Sequence, residues 1–179
     1  MKFILYILTI ISTNLLLSSE IMNKTEATIK DFLPNYININ HGMYKISKES
    51  KKVQNIVRQK FFRNELNVWK IQINDSTYNY AILDNVKGKS MPITFLTIFN
   101  EDEKVVNAAI IKYREAYGGE VGSKSWLNQF INYSDTSNYK VGDGISGISG
   151  ATISVHSVSK GIRKLSLIIN DIIQDFHEK

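Results

Sequence analysis

Cysteine is absent from this 179-residue chain. Its absence excludes disulfides, thiolate metal sites, iron–sulfur clusters and c-type haem attachment, and leaves no thiol for a lipoprotein anchor. Histidine is scarce. His41, His156 and His177 stand far apart, without companions at metal-ligand spacing, so no metal is assigned to them and no Ser-His-Asp arrangement can be built from them. Charge of one sign is not in large excess: 22 Lys and Arg against 17 Asp and Glu leave a net +5, mixed along the chain. The one basic cluster, Lys45–Lys52, reads as a solvated helix start rather than a nucleic-acid patch. Internal repeats and low-complexity segments are also missing. What remains is an ordinary globular composition, 43% hydrophobic and 22% charged, long enough for one domain with a real core.

Residues 1–19 stand apart. Lys2 is followed by an uncharged apolar run from Phe3 to Leu17. A short basic start and an apolar run are the marks of a secretory signal, with Ser18-Ser19 as the cleavage site. Retained, the same run is at the short end for a membrane anchor. The expectation is export, to the periplasm or the outer face of the cytoplasmic membrane, and export argues against a nucleic-acid partner.

Residues 20–44 read as an irregular lead-in, broken by Pro34. Val53, Ile56, Val57 and Phe61 suggest a helix from about Ser47 to Phe62. Trp69, Ile71, Ile73 and then Tyr78, Tyr80, Ile82 alternate as two strands around an Asn74-Asp75-Ser76 turn. Asn85 to Pro92 reads as a loop. Thr94–Asn100 and Val105–Tyr113 read as two more strands joined at Glu101–Lys104. A short helix opening at Ser123 carries Trp126, Leu127, Phe130 and Ile131, with Trp126 and Phe130 expected in the core. The fold class is α+β, a small antiparallel sheet of three or four strands with flanking helices.

The chain is organised around Asp143-Gly144-Ile145-Ser146-Gly147-Ile148-Ser149-Gly150-Ala151-Thr152. A glycine-spaced loop here leads into a long C-terminal amphipathic helix. Val155, Val158, Ile162, Leu165, Ile169, Ile172 and Phe176 recur every three or four positions and form one stripe. Lys160, Arg163, Lys164, Asn170, Asp171 and Gln174 fall on the other side. Thr152 therefore sits at a helix N-terminus, where unpaired N–H groups and the macrodipole favour a phosphate. A Cβ at Gly150 is expected to crowd the turn that presents Thr152. Gly142–Gly147 formally matches G-x-G-x-x-G, but no strand precedes it and the helix begins after it, so a dinucleotide fold is rejected.

Ser149-Gly150-Ala151-Thr152, with Asp143 upstream and a helix downstream, resembles the flavin-attachment motif of the FMN-binding domain family. That family includes periplasmic subunits of ion-pumping quinone and ferredoxin reductases. The resemblance continues upstream through Val86–Ile93 and Tyr113–Val121. Other members have Thr-Pro-Gly after the glutamate, where this chain has Ala116-Tyr117-Gly118. The resemblance implies FMN joined by a phosphoester to the Thr152 hydroxyl, installed from FAD by a magnesium-dependent flavin transferase. It implies Ser149 as a capping group, Ser154 as a second hydroxyl near the phosphate, and Asp143 as a residue that fixes the loop or is read by the transferase. It places Glu115, Gly118 and Gly119 in a turn beside the isoalloxazine. Residues 76–179 would then be the FMN-binding domain and 20–75 an extension on the same core.

On this reading the protein is an electron-transfer flavoprotein rather than a stand-alone enzyme. Its partners would be a membrane reductase or another exported redox protein. A binding or adaptor domain without flavin, and a flavin-dependent reductase of an external acceptor, stay open as alternatives.

Overall fold

The computed structural model describes residues 18–177. The expected signal therefore lies outside the described residues, apart from Ser18 and Ser19. Five strands pair antiparallel in chain order: β1 (Asn38–Lys45), β2 (Glu65–Gln72), β3 (Tyr78–Lys87), β4 (Pro92–Asn100) and β5 (Val105–Lys112). The pairing runs uninterrupted from β2 to β3, across position 75. Local chemistry closes the hairpins. Asn74 Oδ1 accepts from the Ser76 and Thr77 N–H groups at 3.1 and 2.9 Å, an Asx turn. Asn100 Oδ1 accepts from Lys104 N at 2.9 Å at the next turn but one.

Both faces of the sheet are covered. On one, Val68, Tyr80, Ile82, Val86, Phe95 and Phe99 meet helices α4 (Thr152–Ser166) and α5 (Ile169–His177). On the other, Trp69, Ile71, Ala81, Leu83, Leu96 and Ile98 meet helix α1, residues 18–32. This double cover explains why β4 is buried at all but its end residues, so that its sequence is a run rather than an alternation. Among the described residues no helix is long and apolar enough to cross a membrane.

Four expectations are corrected. Residues 20–44 are not an irregular lead-in: they hold most of α1 and then β1. Ile21, Ile29 and Phe32 of α1 face the sheet at helical spacing, and Thr25, fully buried with its hydroxyl on Ile21 O at 2.7 Å, fills the gap in that stripe. The helix expected over 47–62 shrinks to a 3-10 turn and α2 (Val53–Val57), stopped by Arg58 at φ +52°. The long C-terminal helix is two, because the ladder tightens at Ile168, whose N–H bonds Leu165 O at 3.1 Å. Ser166 precedes the break, with its hydroxyl on Ile162 O at 3.1 Å and against Tyr139 OH at 2.7 Å, and such back-bonding bends helices. The apolar stripe itself is as expected, buried from Val155 to Phe176.

Lys164 is the fourth correction. It was expected on the solvent side of its helix, yet it is 0% exposed. Its Nζ lies 2.9 Å from Asp84 Oδ2, 3.2 Å from Lys60 O and 4.2 Å from the Phe61 ring centroid. The segment after α2 crosses this side of α4 and closes over the ammonium. Burial pushes the Asp84 carboxyl above its ordinary value, against the opposing pull of Lys164.

Candidate functional site

The loop before α4 is pinned from several directions. Lys140 O accepts from Asp143, Gly144 and Ile145 N–H groups at 3.2, 2.8 and 3.0 Å. Trp126 Nε1 donates to Ser146 O at 2.8 Å, Ser146 N donates to Gln129 Oε1 at 2.8 Å, and Tyr133 OH donates to Gly144 O at 2.9 Å. Gly144 permits the closest approach, since a Cβ there would stand 1.8 Å from Asn138 O. Ile145 and Ala151 are buried, while Ser146, Gly147, Ser149, Gly150 and Thr152 face solvent. Apolar anchors thus hold a rigid loop whose small polar residues point outward.

Thr152 is the first residue of α4, as its motif implied. The N-cap position is Ala151, which makes no side-chain cap hydrogen bond, and the first turn carries no acidic residue. Ser149 is therefore not the cap, because the helix starts three positions later. The result is an exposed hydroxyl at the positive end of a 15-residue helix whose first N–H groups have no side-chain cap. Gly150 sits at φ +81° with nothing within 4 Å of an added Cβ. Its requirement is conformational, and the expected crowding does not occur.

Upstream, Tyr113 ties the second loop to the same turn. Its hydroxyl donates to Tyr117 O at 2.5 Å and lies 2.9 Å from Ser154 Oγ. Ser154 is buried and so supports the turn from beneath. Gly118 packs on Ala151, where an added Cβ would stand 3.3 Å from its Cα. Gly119 opens the 3-10 turn that follows. Asp143 is exposed and its carboxylate faces Lys140 at 3.7 Å, within the loop itself. The Tyr113 tie was invisible in the sequence because its partners lie 4 and 41 residues away.

Glu115 faces a different group. Its Oε1 accepts from Ser90 and Met91 N–H groups at 2.7 and 2.9 Å and so holds the loop between β3 and β4. These donors, that of Met91 foremost, hold its carboxyl below the ordinary carboxylate value. A lowered folded value means that the loop's added stability is complete above the ordinary range and is lost as pH falls through the lowered value. The Ser90 and Met91 amides should exchange slowly at neutral pH and lose that protection in acid, and Glu115→Gln should make their exchange insensitive to this change. Protection that persists below the titration of all carboxylates would contradict the assignment.

The set fits a phosphorylated ligand: N–H donors without a side-chain cap, no acidic residue in the first turn of α4, and open space above Gly150 beside a hydroxyl. Residues 88–166 match the family model of the FMN-binding domain. No curated protein matches the sequence. The matched region runs from the end of β3 to the last residue of α4 and contains every part of the site just described. The match supports an FMN-binding domain over residues 88–166 and FMN as its cofactor.

Proposed function

We propose that this protein is an exported flavoprotein that carries FMN covalently on Thr152 and relays electrons between redox partners. The observation that carries the reading is the exposed Thr152 hydroxyl on an uncapped helix N-terminus, held by a rigid loop. The Thr152 oxygen attacks the FMN phosphorus of FAD. One P–O bond forms, the pyrophosphate P–O bond breaks, AMP leaves, and the hydroxyl proton passes to the transferase. No oxidation or reduction accompanies this step. The first-turn N–H groups of α4 would hold the resulting phosphodiester, and the Tyr113–Ser154 contact would keep the turn in place.

Bound FMN supplies reversible electron transfer, and the protein sets its position and exposure. A tether suits a protein outside the cytoplasm, where free cofactor is lost by dilution; attachment replaces capture with a permanently high local concentration. Residues 1–19 direct the export, and the partners are a membrane reductase or another exported redox protein.

The test is intact mass of the protein produced together with a flavin transferase. A gain of one FMN less one water is expected. An unmodified mass in the presence of an active transferase would overturn the reading. The turn geometry adds a second expectation. Gly150→Val should remain folded, since the added atoms meet open space, but the left-handed backbone costs an L residue roughly 1–2 kcal/mol and the turn shifts to avoid it. FMN incorporation, read as in-gel fluorescence, should fall well below that of the native chain. Undiminished incorporation would show that turn shape is not what the transferase requires.

A further inference from the structure

The family match begins at Gly88, yet one wall of a cleft beside the start of α4 is built from residues upstream of it. A cleft of about 560 Å³ lies between α4 and the segment after α2. Ile153, His156 and Lys160 form its α4 side. Thr152, His156 and Lys160 are exposed and spaced by four, so Thr152 heads the stripe that enters the cleft. At 1.5 Å per residue Lys160 lies about 12 Å along the helix from Thr152. The opposite side is Arg58, Gln59, Phe61 and Phe62, with Lys87 at the rim.

This wall is a built one. Gln59 Nε2 donates to Ser157 O at 2.9 Å, Gln54 Oε1 accepts from Phe61 N at 2.8 Å, and the buried Lys164 ammonium holds Phe61 from behind. Phe62 is 50% exposed and Ile153, across the cleft on α4, 49%, so both sides of the cleft offer apolar surface. Gln59 Oε1 is buried with no hydrogen-bond partner. Arg58, Lys60, Lys87 and Lys160 line the cleft and no Asp or Glu does, among the described residues.

We propose that the isoalloxazine ring of a flavin tethered at Thr152 lies in this cleft, with Phe61 and Phe62 against the ring and Lys87, Lys160 and Arg58 near its polar edge. The placement rests on the attachment proposed above. A planar aromatic ring matches the phenyl wall. The ring edge carries two carbonyls around one N–H, and the cations and the Gln59 carboxamide offer partners for both kinds of group. Positive charge at that edge favours the electron-rich reduced ring and raises its potential. Residues 58–62 are then part of the flavin site, although they lie outside the family match, and the ring lies in this cleft instead of beside the Gly118–Gly119 turn that the resemblance implied.

The experiment uses the full chain loaded by a transferase, with loading of each variant first verified by intact mass. Flavin fluorescence yield, visible circular dichroism and the reduction potential are then measured. Phe62→Ala should release fluorescence, with a change of about two- to tenfold in the ratio of stacked to free ring, which is the roughly 0.5–1.5 kcal/mol of an aromatic pair converted at 25 °C. Lys160→Glu should lower the potential and alter the visible dichroism. A chain that gains no FMN mass overturns the attachment and the placement with it. A fully loaded chain whose fluorescence, dichroism and potential ignore both substitutions overturns the placement alone. So does a loaded chain that responds instead to replacement of Tyr117, the 86% exposed aromatic on the other flank of Thr152.

Discussion

Thr152→Ala should abolish covalent FMN completely while leaving the protein folded. The substitution removes the only atom on which the phosphoester can form at this position. Its effect on stability should be small. Thr152 is the first helical residue rather than the cap, and its side chain is exposed. Exposed substitutions of this kind stay within about 0.5 kcal/mol. Thr152→Ser keeps the oxygen and loses the methyl that stiffens χ1, so attachment should persist at reduced efficiency. Ser149→Ala and Ser154→Ala keep the Thr152 oxygen and should remain flavinylated. Dialysed Thr152→Ala should be colourless unless ring contacts in the cleft retain flavin, because a helix N-terminus contributes only about 0.3–1 kcal/mol toward a phosphate. Fluorescence in a denaturing gel, confirmed by peptide mass, decides it. A fluorescent Thr152→Ala band, or a labelled peptide lacking Thr152, would falsify the assignment.

The second large effect belongs to the ion pair beneath the site. Asp84→Ala should destabilise the fold by about 3–5 kcal/mol, the usual result of stranding a buried charge. The stranded group is the Lys164 ammonium, left with Lys60 O and the face of Phe61 and no route to water. Against a typical total of roughly 5–15 kcal/mol, such a loss is a large share. Replacing both partners, Asp84→Leu with Lys164→Met, should recover most of it, since an apolar pair of similar volume incurs no charge desolvation. Urea unfolding measures both, provided the slope is unchanged between variants. A single-mutant loss under 1 kcal/mol would mean that water or a backbone shift rescues the ammonium. The same pair orders the segment after α2, so even a folded Asp84→Ala protein should show a looser wall at Phe61.

How much of this was legible in the sequence depended on distance along the chain. The loop and the start of α4 were readable because small residues, an apolar period and a helix N-terminus are local signals. The strands from Trp69 to Lys112 were readable from β-branched runs and Asx turns. Helix α1 was not, because Thr25 stands where the stripe needs an apolar residue, and only the tertiary contact reveals that its hydroxyl is satisfied locally. Strand β1 was not, because Asn38, Asn40 and His41 give it a polar alternation without an evident buried side. Lys164 was misplaced because a helical wheel knows nothing of a segment 100 positions earlier that folds over it. The break at Leu167 was hidden for a similar reason: the apolar period continues through it, and the hydroxyl contacts of Ser166 do not show in a periodicity.

Among the described residues strand β1 is the outer strand of the meander, bonded to β2 on one side only. At the opposite margin β5 gains bonds to the segment after helix α3 (Lys124–Leu127), through Val105 N to Tyr133 O at 2.8 Å and Asn132 N to Val105 O at 2.8 Å. The β1 margin is therefore the place where another chain's backbone could add itself. Its composition works against that. Asn38, Asn40, His41, Gly42 and Lys45 offer little apolar surface and poor strand propensity, the usual safeguards of an open sheet edge against self-association. Residues that made this strand hard to recognise also make it a poor template for a further strand.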